Sequence, residues 1–170
     1  TDGIIQARVG INGAYGLYTN ETGTITAGKI NGIISAIAGK NLAAGLYANQ
    51  SITIGDVNGT ISASANSNAY GLRSLDDSIT TGAINGTISA IATGDSAFGI
   101  YANNSIITGD VNGTIETSAY SNAYSLRTYA GSIKTGLIDG IISAVADTNS
   151  AYGLYSNTTI SAGNIHGAIS

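Results

Sequence analysis

Apolar residues return in this chain at fixed places in a 27-residue cycle, marked by the glycines Gly28, Gly55, Gly82, Gly109, Gly136 and Gly163. Two residues after each stands Ile30, Val57, Ile84, Val111, Ile138 or Ile165, a column that two-residue alternation turns inward. Asn31, Asn58, Asn85 and Asn112 come next, replaced by Asp139 and His166 in the last two cycles, and glycine always follows. Both residues of Asn-Gly tolerate positive φ, so the pair predicts a corner. Beyond it Ile34, Ile61, Ile88, Ile115, Ile142 and Ile169 recur, with Ala36, Ala63, Ala90 and Ala144 two places on and mostly serine between. Apolar inside and hydroxyl outside is the pattern of a half-buried strand.

A polar linker such as Asn66-Ser67-Asn68 predicts a second corner, and an aromatic strand follows, Ala14-Tyr15-Gly16-Leu17-Tyr18 and its counterparts. With Leu17, Leu46, Leu72, Ile100, Leu126 and Leu154 inward, alternation places Tyr15, Ala44, Tyr70, Phe98, Tyr124 and Tyr152 inward as well. Tyr18, Tyr47, Arg73, Tyr101, Arg127 and Tyr155 then point outward. A third corner and a strand carrying Ile25, Ile52, Ile79, Ile106, Ile133 and Ile160 close the cycle.

A fixed step of this size marks a solenoid, whose coils bury their apolar side only by stacking on one another. The expectation is an all-β chain, a parallel β-helix (β-solenoid) with three short strands per 27-residue coil and about six coils. At about 4.8 Å per coil it makes a rod of roughly 30 Å. Residues 1–170 form a single β-solenoid segment; opening on Thr1 partway through a repeat, it reads as a piece of a longer repeat protein or as a fibre subunit. A second period overlies the first. From the second coil Tyr and Arg alternate in the outward column, and the loop after the aromatic strand lengthens where Arg stands: Leu46 to Gly55 is nine steps, Leu72 to Gly82 ten. The unit is therefore a pair of coils, and the first coil departs from it with a two-residue excess in Thr19-Asn20-Glu21-Thr22-Gly23.

Composition sharpens this picture. Only 9% of residues are charged, so Ser, Thr and Asn must wet the surface. Proline is absent, as suits strands hydrogen-bonded on both edges. Without cysteine there are no disulfides or thiolate metal sites. A net charge of −4 argues against a nucleic-acid partner, and polar residues interrupt every apolar run well short of the ~18 residues a membrane span needs.

Chemistry-bearing residues are few. Asp76 and Asp77 share a loop near Arg73, but a glycosidase needs two carboxyls facing across a cleft, so a solvated turn is the plainer reading. Asp110, Asn112, Thr114 and Glu116 stand two apart, yet a corner divides them, and His166 lacks a second His or Cys. No cofactor or metal site and no enzymatic activity are expected. A threonine array for ice or crystal surfaces, Thr60, Thr87 and Thr114, is broken by Ile33, Ile141 and Glu116. The strongest binding candidate is the outward column Tyr47, Arg73, Tyr101, Arg127 and Tyr155, in which stacked cation–π contacts add about 0.5–1 kcal/mol each at exposed sites. The corner asparagines are expected to stack as a hydrogen-bonded ladder.

The runs Gly-Thr-Ile-Ser-Ala, Ala-Tyr-Gly-Leu-Tyr and Ser-Ile-Thr-Thr-Gly resemble the passenger repeats of bacterial autotransporter-type and related secreted proteins, over essentially the whole chain. The resemblance implies a right-handed β-helix, exported and displayed or shed at a bacterial surface, though the translocator barrel of that family is missing from this sequence. The expected role is a structural or adhesive module of a cell-surface or extracellular fibre. Its expected partners are further coils stacked end to end, with glycans and host or cell surfaces along its side. A polysaccharide-binding or polysaccharide-processing β-helix is the alternative.

Overall fold

The computed structural model describes residues 2–170, and it is all-β, with three parallel sheets of seven, six and six strands. The first, serine-faced sheet holds Ile4–Val9, Ile33–Ala38, Thr60–Ala65, Thr87–Ala92, Thr114–Ala119, Ile141–Ala146 and Ala168–Ile169, in that spatial order. The aromatic sheet runs from Ala14–Tyr18 through Ala43–Ala48, Ala69–Ser74, Ala97–Ala102 and Ala123–Thr128 to Ala151–Tyr155. A third sheet has shorter strands, from Ile25–Ala27, Ile52–Ile54 and Ile79–Thr81 to Ile106–Ile107, Ile133–Lys134 and Ile160–Ser161. Every strand pairs with its equivalents one coil away, so the chain is a β-solenoid in which like lies over like. Ile34 pairs with Ile61, Ile61 with Ile88, and Ile88 with Ile115. Single parallel bridges link Ile30, Val57, Ile84, Val111, Ile138 and Ile165 in the same way.

The interior is built from these columns. Ile34, Leu46, Ile52, Val57, Ile61 and Leu72 are among the side chains with no exposed surface, all in one cluster. Burying each contributes about 1.5–3 kcal/mol. In the last coil the columns lie open, with Ile160, Ile165 and Ile169 at 48%, 52% and 39% exposure.

Two sequence expectations need correction. The Asn-Gly corner does not use positive φ: among the described residues only Glu21, at 51°, has it. Glycine is required there by close approach instead. A Cβ on Gly59, Gly86, Gly113 or Gly140 would lie 2.0 Å from the carbonyl oxygen of the glycine one coil before. The backbone is drawn in because one carbonyl takes two bonds, both Asn58 and Gly59 donating from their N–H to Ile30 at 2.8 Å.

The second correction concerns the aromatic strand, whose alternation breaks at its glycine. Ala69 is buried with the alanine column of the first sheet, and Leu72 with the isoleucines, but Tyr70 and Phe98 join a separate cluster with Ala44 and the outward tyrosines. Gly71 forms no strand pair of its own, and a Cβ on it would strike Ile88 Cγ2 at 2.6 Å. The strand bends there, so the residues before and after Gly71-Leu72 leave on the same outer side. The Tyr15, Ala44, Tyr70, Phe98, Tyr124, Tyr152 column therefore lies outside the isoleucine core, beneath the Tyr and Arg column.

The two-coil unit has a physical basis in a buried hydroxyl. After Arg73 and Arg127 the next inward residue is the fully buried Ser74 or Thr128; after the inner tyrosines Tyr47 and Tyr101 it is Ala48 or Ala102, while Thr19 and Ser156 follow the terminal Tyr18 and Tyr155. Ser74 donates to the Gln50 carbonyl at 2.6 Å and accepts from the Asp77 N–H at 3.2 Å, and Thr128 donates to the Gly131 carbonyl at 2.7 Å. These bonds hold the longer loop, whose extra residue would otherwise carry unpaired backbone groups. Asp56 and Asp110 keep the same period, accepting the N–H of Ala83 at 3.0 Å and of Leu137 at 2.8 Å in the following coil.

Candidate functional site

The residues of the candidate stripe are held by the aromatic sheet in direct register. Tyr47 pairs with Arg73, Arg73 with Tyr101, Tyr101 with Arg127 and Arg127 with Tyr155. The structure thus assembles all five in one column. Beside them runs a second column that alternation had placed inside. Tyr70 stacks on Phe98 at 4.8 Å and 7°, Phe98 on Tyr124 at 5.4 Å and 2°, and Tyr124 on Tyr152 at 5.4 Å and 14°. Tyr101 meets Phe98 edge-on at 5.3 Å, and Tyr155 meets Tyr124 at 5.6 Å, the quadrupole-favoured geometry.

Each arginine lies closest to a ring of its own strand, three residues earlier. The Arg73 guanidinium carbon is 4.4 Å from the Tyr70 centroid and 5.2 Å from that of Tyr47. That of Arg127 is 4.4 Å from Tyr124, 5.6 Å from Tyr155 and 5.8 Å from Tyr101. The bend brings i and i+3 together, so the repeated Tyr-x-Leu-Arg spacing, with Gly71 in one coil and Ser125 in the other, was the signal in the sequence. Where Ala44 replaces the ring, Tyr15, Tyr18 and Tyr47 close on one another at 4.8–5.3 Å instead.

The electrostatics of the stripe are unbalanced. Among the described residues neither arginine is in a salt bridge; Lys29–Asp56, at 3.0 Å, is one elsewhere. The Nε of Arg73 and of Arg127 is buried without a hydrogen-bond partner, in side chains that are partly buried and packed over the rings. Burial pushes the phenols of Tyr47 and Tyr70 above the ordinary tyrosine value, and Arg73 works against that rise in both. The stripe offers flat aromatic surface interleaved with two cations about 9.6 Å apart, two strand spacings.

The remaining candidates are occupied by the solenoid itself. Asp76 accepts from the Asn49 amide at 3.0 Å and Asp77 from the Asn104 amide at 3.3 Å, 27 residues away in each case. Within Asp110 to Glu116, Asp110 binds the Leu137 N–H, Asn112 donates to Asn85 at 2.8 Å, and Glu116 stands on the outer face of the serine-faced sheet. The asparagine ladder is present, each side-chain amide donating one coil back: Asn112 to Asn85, Asn85 to Asn58 at 2.9 Å, Asn58 to Asn31 at 2.8 Å and Asn31 to Asp2 at 2.6 Å. No group of three or more His, Cys, Asp or Glu gathers among the described residues.

Compared with known protein families, with curated proteins and with solved structures, the chain matches none. The class is therefore defined by its own architecture: a repeat protein of the β-solenoid type with an aromatic and cationic stripe along one side.

Proposed function

We propose that this chain is a structural and adhesive β-solenoid module of a bacterial cell-surface or extracellular fibre, lengthened by stacking coil on coil, and not an enzyme. The observation that carries the reading is that each coil is completed by its neighbours: Ile34, Ile61 and Ile88 pair in register along parallel strand edges and have no exposed surface. Such an edge templates another strand, so coils of the same polypeptide or of another copy add to the rod by the same pairing. Likeness to autotransporter-type passenger repeats supports surface display. The test is electron microscopy and light scattering of the purified chain over a concentration series. Unbranched rods one solenoid wide and many times 30 Å long are expected; single short rods at every concentration, with the β-sheet spectrum intact, would defeat the proposal.

A second reading, glycan binding along the stripe, is favoured by one observation: Arg73 and Arg127 carry no carboxylate partner while lying between flat rings. Aromatic faces suit sugar rings, and guanidinium groups suit carboxylate or sulfate. An acidic polysaccharide is expected to be retained, and R73S/R127S to lose retention while its neutral counterpart is unaffected. Equal retention of both polysaccharides sinks this reading.

A further inference from the structure

We propose that the serine-faced sheet is a docking surface for a second copy of this chain, packed face to face about a two-fold axis parallel to the strands. This interaction uses the side of the rod, and so stands apart from stacking at its ends.

The argument begins with the outward column at the fifth position of these strands. In register it reads Arg8, Ile37, Ser64, Ile91, Ser118, Val145. From the second coil an aliphatic side chain alternates with serine, giving knobs roughly 9.6 Å apart with a hollow between. The hollow is physical: a depression over Ser118 is walled by Ile91 and Val145. Ile91 and Val145 stand 45% and 56% exposed, and Ile33 and Ile141 on the same face 42% and 49%, although the interior could have hidden none of them without breaking alternation.

A two-fold axis along the strands preserves each column and reverses the order of coils. Let Thr60–Ala65 of one copy oppose Thr87–Ala92 of the other. Ile91 then enters the hollow at Ser64, Ile37 enters the hollow at Ser118, and symmetry repeats both contacts. Sliding by one coil sets Ile91 against Ile91 and serine against serine, so the alternation selects this register. Interdigitation of this kind gives dry, closely packed sheets about 10 Å apart.

Charge and area agree. Outward positions of this face carry only two charges among the described residues, Arg8 and Glu116. In the stated register Glu116 of the second copy opposes Ser35, which lies one coil and two residues from Arg8, within the combined reach of the two side chains. Two symmetric ion pairs result. Six strands of six residues cover about 20 by 29 Å, so the pair buries about 1,200 Å², the lower edge of specific interfaces.

Sedimentation equilibrium of the chain over a concentration series is the test, with S64I/S118I, I91S, R8E and R8E/E116R compared. Wild type is expected to show a reversible dimer. S64I/S118I should weaken it at least tenfold while melting as wild type, because Ile37 and Ile91 already occupy the same column in neighbouring coils; I91S should weaken it too. R8E should weaken it and R8E/E116R restore it. End-to-end rods, where they form, should persist in S64I/S118I and fail to pair side by side. Single rods at every concentration, or pairing indifferent to filling the hollows and to charge reversal, would overturn the proposal.

Discussion

Two columns of glycine run along this rod, and they are kept for different reasons. At the Asn-Gly corner the space for a Cβ is taken by backbone, the carbonyl oxygen of the preceding coil at 2.0 Å, and no coil departs from glycine there. In the aromatic strand a Cβ on Gly71 would meet both the Gly99 carbonyl oxygen at 2.4 Å and the tip of Ile88. The equivalent position one coil pair on is Ser125, fully buried. The backbone comes less close in the aromatic strand than at the corner, and Ser125 shows that it yields there, so the first column is fixed by the solenoid's pitch and the second by packing that can be renegotiated.

The sharpest way to break this comparison is to add one methyl group to each column. Gly86→Ala should cost about 4 kcal/mol or more, because two coils must separate and give up the bonds that Asn85 and Gly86 make to the Val57 carbonyl. Gly71→Ala should cost about 1–3 kcal/mol, the usual cost of overpacking. Denaturant unfolding of both variants decides the order. Equal losses would show that the corner yields as readily as the bend.

Ser125 also shows how the second column was renegotiated. Its hydroxyl donates to the Ser143 carbonyl and lies 3.3 Å from the Thr117 hydroxyl, and Thr117 itself takes the place of the buried alanines Ala63 and Ala90. Thr117→Ala and Ser125→Gly should each cost about 1 kcal/mol, since each leaves the other hydroxyl with a poorer set of partners. The double variant recreates the alanine and glycine of the neighbouring coil and should return close to wild type, a coupling of about 2 kcal/mol in a double-mutant cycle. Additive losses would mean that the two substitutions arose independently.

The same contrast explains what could be read from the sequence. Ile34, Ile61 and Ile88, or Ile52 and Ile79, announce their place because alternation and the 27-residue step agree on it, and with them came the three sheets and the in-register pairing. The outward placing of Tyr47, Arg73, Tyr101, Arg127 and Tyr155 was legible for the same reason. Tyr70, Phe98 and Tyr124 were misplaced because a period of two was carried through a glycine that ends it. The error hid the nearest ring partner of each arginine, Tyr70 for Arg73 and Tyr124 for Arg127. Asn-Gly was correctly a corner for the wrong reason: dihedral freedom is a property of a residue, whereas collision with the preceding coil appears only after stacking.

The stripe gives a smaller and pH-dependent effect. Arg73→Ser removes cation–π contacts with Tyr70 and Tyr47 and should cost about 0.5–2 kcal/mol in thermal unfolding. It also removes the charge that holds the two phenols down, so both should titrate still later when followed by tyrosinate absorbance. A phenol whose folded pKa is raised binds its proton more tightly in the fold than in the unfolded chain. Its contribution is full below the ordinary tyrosine value of about 10 and is lost as pH rises from there through the folded value. Wild type should therefore lose stability in alkali as Tyr47 and Tyr70 ionise. Ionisation of these two phenols at the ordinary value would contradict their burial.

The smallest effect distinguishes a ladder that runs on from one that stops. Each corner amide donates to the oxygen one coil back, which leaves the Asn112 side-chain oxygen facing Asp139, whose side chain lacks the amide N–H that asparagine would donate to it. At the other end Asp2 suits the ladder, because only an acceptor is needed there. Asp139→Asn should thus supply the missing donor and raise stability by about 0.5 kcal/mol, the lower range for a single exposed hydrogen bond. Asp2→Asn should change nothing, since its amide oxygen accepts as the carboxylate did. A gain at position 2 equal to that at 139 would trace both to lowered negative charge, and the direction of the ladder would lose its energetic meaning.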